Sequence, residues 1–418
     1  MKRISINGGK TLSGNINITG AKNSAVALIP ASVLCDEQAT IYNVPNISDR
    51  DALIDILHEL NCETSLNNDL LKIDASKVEN IKISLELSKK MRASYYFMGA
   101  LLSRFKHVEM YFPGGCNIGK RPIDIHIKGF EALGAKVLVK GDLYKIDAEE
   151  LTGANITFDF ASVGATINVM LAAVKAKGKT VIRNAAREAE IVNVATFLNN
   201  MGAKISGAGT SVIRIEGVEY LHRAMIEVIP DRIEAGTYII LGAMIGDNLK
   251  INNIIPEHID ALLSKLKEMK IKYELDENSV TISKSDSIKA INIKTAVYPG
   301  FPTDIGQPMM VLLTQANGVS MFDETIWENR MGHVKYLNKM GANIKNGNTN
   351  AVIIGPTPLS GCEVEATDLR GGAAMVLAGL IADGTTKITS IEHILRGYDS
   401  IINKLKNVGA DIKIEEYE

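Results

Sequence analysis

FEALGAKVLV, residues 130–139, decides the architecture, because its pattern returns five more times along the chain. It reads as the end of an amphipathic helix, a stop at a small-residue turn, and then a strand. The other copies are HELNCETS from His58, FLNNMGAKIS from Phe197, KLKEMKIKYEL from Lys265, YLNKMGANIK from Tyr336 and KLKNVGADIK from Lys404. Four of the six carry Gly-Ala at the stop, where a residue tolerant of positive φ belongs. The copies recur roughly every 70 residues, which marks a repeat architecture.

The remainder of each unit repeats as well. A short alternating strand, a polar turn and a helix rich in small apolar residues follow one another. These helices begin near Asn23, Met91, Val163, Ile233, Asp304 and Leu369. They are apolar on most sides, so burial inside each unit is expected. The strand segments 15–19 and 292–295 alternate apolar and polar residues and should lay one face on that core. Six copies in 418 residues divide as two domains of three, with a boundary near 228–230.

Composition narrows the function classes. Lys+Arg number 46 and Asp+Glu 48, a formal net charge of −2, and aromatics are 5%. A nucleic-acid binder would show a basic patch or stacking platforms, so neither nucleic acid nor a single strand is an expected partner. The longest apolar run, 373–382, is far short of the about 20 residues a membrane span needs. No apolar segment follows the basic start MKR, so no secretory signal is read. The four cysteines form no CxxC pair and the seven histidines no HExxH, so a metal site is not expected. A reducing, cytoplasmic location with free thiols follows as the default.

The turns before the six apolar helices are polar without exception. They hold Lys22 and Asn23; Lys89, Lys90 and Arg92; Ser162 and Gly164; Asp231, Arg232 and Glu234; Thr303 and Asp304; Asp368 and Arg370. Helix N-termini present free N–H groups and partial positive charge, and several aimed together would bind an anion. Ordinary capping explains any single one of these turns. Six together, with Lys and Arg among them, point to a phosphate or carboxylate site between two domains.

The segment FPGGCNIGKRPIDIH, residues 112–126, breaks the repeat with Pro113, Gly114, Gly115 and Gly119, and reads as a flexible surface loop. Within it Cys116 is followed by Lys120 and Arg121, cations that favour the thiolate. A cysteine so placed is a candidate acid, base or nucleophile, or else an incidental surface thiol.

These motifs carry a resemblance that runs the length of the chain. GAKNSA at Gly20, PGGCNIGKRPIDIHI, ASVGATINVMLAA, NAAREAEIV, PDRIEAGT, FPTDIGQP, ETIWENR, ATDLRGG and LRGYD at Leu395 resemble the UDP-N-acetylglucosamine 1-carboxyvinyltransferase family of enolpyruvyl transferases. The sister family acting on shikimate phosphate shares the repeat but lacks the cysteine loop. The resemblance implies an α/β fold of two inverse α/β barrel-like domains, each of three units with buried helices. Residues 20–229 would form the first and carry the Cys116 loop. Residues 1–19 plus 230–418 would form the second, and the active site would lie in the interdomain cleft. It also implies transfer of the enolpyruvyl group of phosphoenolpyruvate to the 3′-hydroxyl of UDP-N-acetylglucosamine, with release of phosphate, through a tetrahedral intermediate. This is the first committed step of peptidoglycan synthesis, and it needs no cofactor.

Site residues follow from the same resemblance. Lys22, Arg121 and Arg396 match the residues holding phosphoenolpyruvate, and Asn23 stands at the sugar. Arg92, the run Arg121, Pro122, Ile123, Asp124 and Ile125, then Ser162, Val163 and Ile326, match contacts to the UDP-sugar. Asp304 matches the carboxylate near the sugar hydroxyl, a candidate general base. Cys116 matches the proton donor to the methylene carbon, the residue that forms an adduct with phosphoenolpyruvate and is the target of fosfomycin. Glu188, Arg330, Asp368 and Arg370 match further residues of the cleft. Phe160 stands where many members carry a basic residue, which removes one charged contact to the nucleotide, and Lys120 is the candidate replacement. The chemistry needs one acid and one base, each worth about 10²–10⁴-fold. Two other functions compete: the sister transferase and a non-catalytic UDP-sugar binder.

Overall fold

The computed structural model describes residues 1–113 and 123–417. Cys116, Lys120, Arg121 and Pro122 therefore lie outside the described residues. The chain divides into two units, one of residues 20–229 and one of residues 1–19 with 230–417.

In the unit of residues 20–229, three core helices, Lys22–Ala31, Tyr96–Phe105 and Val163–Ala173, are buried nearly all round. Their Ala, Gly and Leu content lets them pack closely on one another: an added Cβ at Gly99 would come within 2.2 Å of the Asn168 carbonyl. Around them lie the amphipathic helices Ser48–Glu59, Asp124–Ala132 and Ala189–Asn200 and three sheets. Two of those sheets have four strands and one has three among the described residues. The other unit repeats the plan with core helices Arg232–Ile245, Gly306–Thr314 and Leu369–Ile381 and three four-stranded sheets. Each four-stranded sheet consists of antiparallel neighbours plus one parallel edge strand, such as Asn155–Thr157 beside Lys179–Arg183. Strand Lys2–Asn7 sits between Thr385–Thr389 and Asp411–Glu416, so the first residues of the chain complete the sheet of its last copy. Each unit has its own apolar core.

The helix-stopping turn is the same in all six copies. The residue after the helix is left-handed at Asn61 (φ 63°), Gly134 (98°), Gly202 (102°), Lys270 (62°), Gly341 (110°) and Gly409 (103°). The next N–H then reaches back five residues, as Ala135 does to Phe130 at 3.0 Å and Ile271 does to Leu266 at 2.9 Å. Glycine and asparagine accept this conformation, whereas a lysine there costs about 1–2 kcal/mol. Lys270 is exposed. Lys270→Gly is therefore expected to stabilise the protein by about 0.5–1 kcal/mol, read as a higher urea midpoint. A lower midpoint would show that the lysine side chain contributes more than the strain removes.

A second device sets the entrances to the core helices. Asn43, Asn184 and Asn253 end strands in the left-handed region, and their side-chain amides donate to the carbonyls of Val228, Phe158 and Ile18 at 2.9, 2.9 and 2.7 Å. Those carbonyls belong to the segments that run into polar turns. Two sequence expectations need correction. Residues 124–126 are helical rather than part of a loop, because Asp124 supplies negative charge to the first turn of Asp124–Ala132 while His126 and Phe130 bury. The core helix expected near Met91 begins as a 3₁₀ turn, Arg92–Tyr95, before Tyr96–Phe105.

Candidate active site

In the unit of residues 1–19 and 230–417, two arginines converge on one carboxylate. Asp304 lies in the 3₁₀ turn Thr303–Ile305, before Gly306–Thr314. Its Oδ1 takes Arg330 Nη1 at 2.9 Å and its Oδ2 takes Arg370 Nη2 at 3.1 Å. Both guanidiniums are buried, while the Asp304 side chain keeps 22% of its exposure. Burial alone would raise the Asp304 carboxyl, but Arg370 and Arg330, with Arg232 beyond them, hold it well below the usual carboxylate range. Burial works against the Arg370 charge too, yet Asp304, Tyr398 and Asp231 hold its affinity for the proton above the ordinary value. Arg330 Nε and Arg370 Nη1 have no hydrogen-bond partner among the described residues. Two buried guanidiniums thus flank an ionised carboxylate, each with one enclosed N–H left over.

Asp368 and Asp231, read from the sequence as turn residues, are helix caps. Asp368 accepts the N–H groups of Arg370 and Gly371, and Asp231 those of Ile233 and Glu234. Arg396 ends the short helix Glu392–Leu395. Ile394 of that helix lies against Gly372, and the Tyr398 ring lies 5.4 Å from the Arg370 guanidinium, so Arg396 belongs to the same end of the unit. Ile326 is held by its N–H bond to Glu324 Oε1 at 2.8 Å, an oxygen that also takes the N–H of Trp327.

In the unit of residues 20–229, Lys22 opens the helix Lys22–Ala31 and pairs through Nζ with Asp49 Oδ2 at 3.0 Å; Asp49 is buried. Asn23 follows, half-buried. The next residue, Ser24, donates its hydroxyl to Asn193 Oδ1. Arg92 lies over the Tyr95 ring at 5.7 Å. Tyr95 meets the His126 ring edge-on at 4.8 Å, and both rings press on Gly164, leaving no room for a Cβ there. Arg92, the helix carrying Asp124 and Ile125, and the Ser162–Val163 turn are thus brought together; Ile123 is buried beneath them. Ser162 caps its helix by accepting the Ala165 N–H at 3.2 Å. Burial, with Arg92 nearby, pushes His126 down to about 3, so its ring is neutral. Glu188 precedes the helix Ala189–Asn200 on the side of Tyr96. Phe160 is 44% exposed.

Neither periodicity nor motif singles out Asp49, Gln307, Glu324 or Tyr398, which the structure places beside these groups. Gln307 alone left a signal in the sequence, a polar residue inside an otherwise apolar helix. Among the described residues no group of three or more His, Cys, Asp or Glu side chains could hold a metal, and no helix is long and apolar enough to cross a membrane.

Comparison with known proteins now places the chain. Residues 6–405 match the family described as EPSP synthase (3-phosphoshikimate 1-carboxyvinyltransferase), and the chain belongs to this family of enolpyruvyl transferases. Within it, the chain is 51% identical over its full length, and over the full length of the relative, to a Streptococcus pneumoniae serotype 2 protein named UDP-N-acetylglucosamine 1-carboxyvinyltransferase. It is 52% identical to UDP-N-acetylglucosamine 1-carboxyvinyltransferase 2 of Listeria monocytogenes, over 98% of this chain and 97% of that one. Its fold matches the enolpyruvyl transferase NikO from Streptomyces tendae with a TM-score of 0.91 at 24% identity, covering 100% of this chain and 99% of that one. EPSP synthase from Acinetobacter baumannii matches with a TM-score of 0.76 at 16% identity, covering 100% of both chains. The two-domain α/β fold expected from the repeat is that of these transferases.

Proposed function

We propose that this chain transfers the enolpyruvyl group of phosphoenolpyruvate to the 3′-hydroxyl of UDP-N-acetylglucosamine and releases phosphate, opening peptidoglycan synthesis in the cytoplasm. The observation that carries it is Asp304 gripped by two buried arginines that keep N–H groups to spare. The names of relatives half identical over the whole chain support the same substrates.

Cys116 gives a proton to the methylene carbon of phosphoenolpyruvate, which leaves C2 electron-poor. The sugar oxygen bonds to C2 as its proton passes to Asp304. The C2–O bond to phosphate then breaks as the phosphate takes the proton from Asp304, the Cys116 thiolate takes a proton back from the new methyl group, and the double bond re-forms between C2 and that carbon. Asp304 in the free protein holds its proton too weakly for a strong base. An anionic donor that engages Arg330 and Arg370 offsets part of their charge and raises the proton affinity of Asp304. Donor binding therefore readies the base, and a general base of matched affinity contributes about 10²–10⁴-fold. Lys22, Arg121 and Arg396 serve the donor. Asn23, Arg92, Arg121, Pro122, Ile123, Asp124, Ile125, Ser162, Val163 and Ile326 serve the UDP-sugar, with Arg330, Asp368 and Arg370 around the reacting groups.

The test is phosphate release from phosphoenolpyruvate with UDP-N-acetylglucosamine as acceptor, in the presence of EDTA. Release that requires the UDP-sugar is expected. Release only with shikimate 3-phosphate would assign the chain to the sister reaction, and binding of UDP-sugar without any release would make it a non-catalytic binder.

A further inference from the structure

Gln307 is a polar residue in the apolar helix Gly306–Thr314, and it is only 2% exposed. A buried amide must find partners. Its Nε2 donates to the Arg330 carbonyl at 3.2 Å and to Asp368 Oδ2 at 3.1 Å. Its Oε1 has no partner among the described residues, so contacts of its Nε2 set its orientation. The opposite flip would turn an oxygen on a carbonyl and a carboxylate. The fully buried His333 ring stands beside it, Nδ1 at 3.5 Å. Burial pushes His333 down to about 4 although Asp368 works the other way, so the ring adds no charge at neutral pH.

The consequence reaches Asp304 by two routes. Asp368 Oδ1 caps the backbone N–H of Arg370 at 3.0 Å and of Gly371 at 3.1 Å, and its Oδ2 also takes the Thr367 hydroxyl at 3.2 Å. One amide therefore ties the main chain at Arg330 to the cap that sets the main chain at Arg370. These are the two residues whose guanidiniums flank Asp304, with Arg232 the next charge facing it. The packing is tight: a Cβ on Gly371 would stand 2.6 Å from Thr367 Oγ1 and 3.3 Å from Gln307 Nε2.

We infer that Gln307 is a positioning residue: by joining Arg330 to Asp368 it fixes the spacing of the two arginines that receive the anionic three-carbon donor. This rests on the transferase reading above. Gln307→Met keeps length and volume but removes both donors. Its KM for phosphoenolpyruvate is expected to rise about tenfold, the loss of one charge-assisted contact, while its KM for UDP-N-acetylglucosamine stays near the wild-type value. Gln307→Glu can donate only when protonated, a form that Asp368 beside it favours. Its phosphoenolpyruvate deficit relative to wild type should therefore shrink between about pH 8 and about pH 6. The Glu variant also decides the matter if the Met variant does not fold. A wild-type donor KM in Gln307→Met, or in Gln307→Glu at about pH 8, or equal rises in both KM values, overturns the inference. A wild type that releases no phosphate overturns the transferase reading instead. Direct titration with phosphoenolpyruvate, followed by fluorescence of Trp327, the single tryptophan, then still tests Gln307 without turnover. Tighter binding by the wild type is expected, and equal binding overturns the inference.

Discussion

Cys116→Ala is expected to lower phosphate release by about 10²–10⁴-fold, the usual contribution of a positioned proton donor. Fosfomycin is expected to add once, and to Cys116 alone. The physical reason lies in the other three thiols, since the thiolate is the reacting species. Cys35 and Cys62 are buried, and Cys362 is partly so. Burial pushes Cys62 up to about 12, and burial likewise raises Cys35 and Cys362. Each is mostly a neutral thiol at neutral pH. Cys116 instead precedes Lys120 and Arg121 in sequence, with glycines on either side. Intact-mass measurement followed by peptide mapping checks this. An adduct on any other cysteine, or an adduct that persists in Cys116→Ala, would contradict it. Turnover that fosfomycin leaves untouched would refute the predicted addition at Cys116.

Asp304→Ala should lose both activity and stability. Without the carboxylate the base is gone, a loss of about 10²–10⁴-fold. Arg330 and Arg370 would then remain as two buried like charges. Breaking a buried pair typically costs about 3–5 kcal/mol, and the 22% exposure of the Asp304 side chain places the cost at the lower end. An anion should partly replace the missing carboxylate. Inorganic phosphate is therefore expected to raise the melting temperature of Asp304→Ala more than that of wild type. Equal shifts would mean that the two arginines do not receive anions. The sign of the pH effect follows from the direction of the shift. Asp304 has a folded affinity for protons below its unfolded one, so its stabilising contribution is full above about pH 4 and declines only as the pH falls further. Wild type minus Asp304→Ala stability should accordingly be flat from neutral pH down to about pH 5.

Much of the fold can be read along the chain. A six-fold helix–turn–strand pattern repeats because each copy must solve the same local problem, stopping a helix and turning its partner strand back. Gly134, Gly202, Gly341 and Gly409 announce that solution. Asn61, which tolerates the left-handed region, announces it more weakly, and Lys270 not at all; at Lys270 the surrounding packing imposes the same turn against local preference. The polar turns are visible as well, but their division of labour is not. Asp304 and Asp368 both look like acids at helix starts; one is gripped by arginines and the other is spent on capping.

Periodicity, the stopping turns and the polar helix starts are written in neighbouring residues, so the sequence by itself determined the triplicated α/β units and the kind of residue at each entrance. Only the tertiary structure decided which charges meet. The Asp304–Arg330 and Asp304–Arg370 contacts span 26 and 66 positions of chain, and Gln307 joins Arg330 to Asp368 from inside a helix. Such meetings depend on how buried helices abut, and no local preference of the chain encodes that distance.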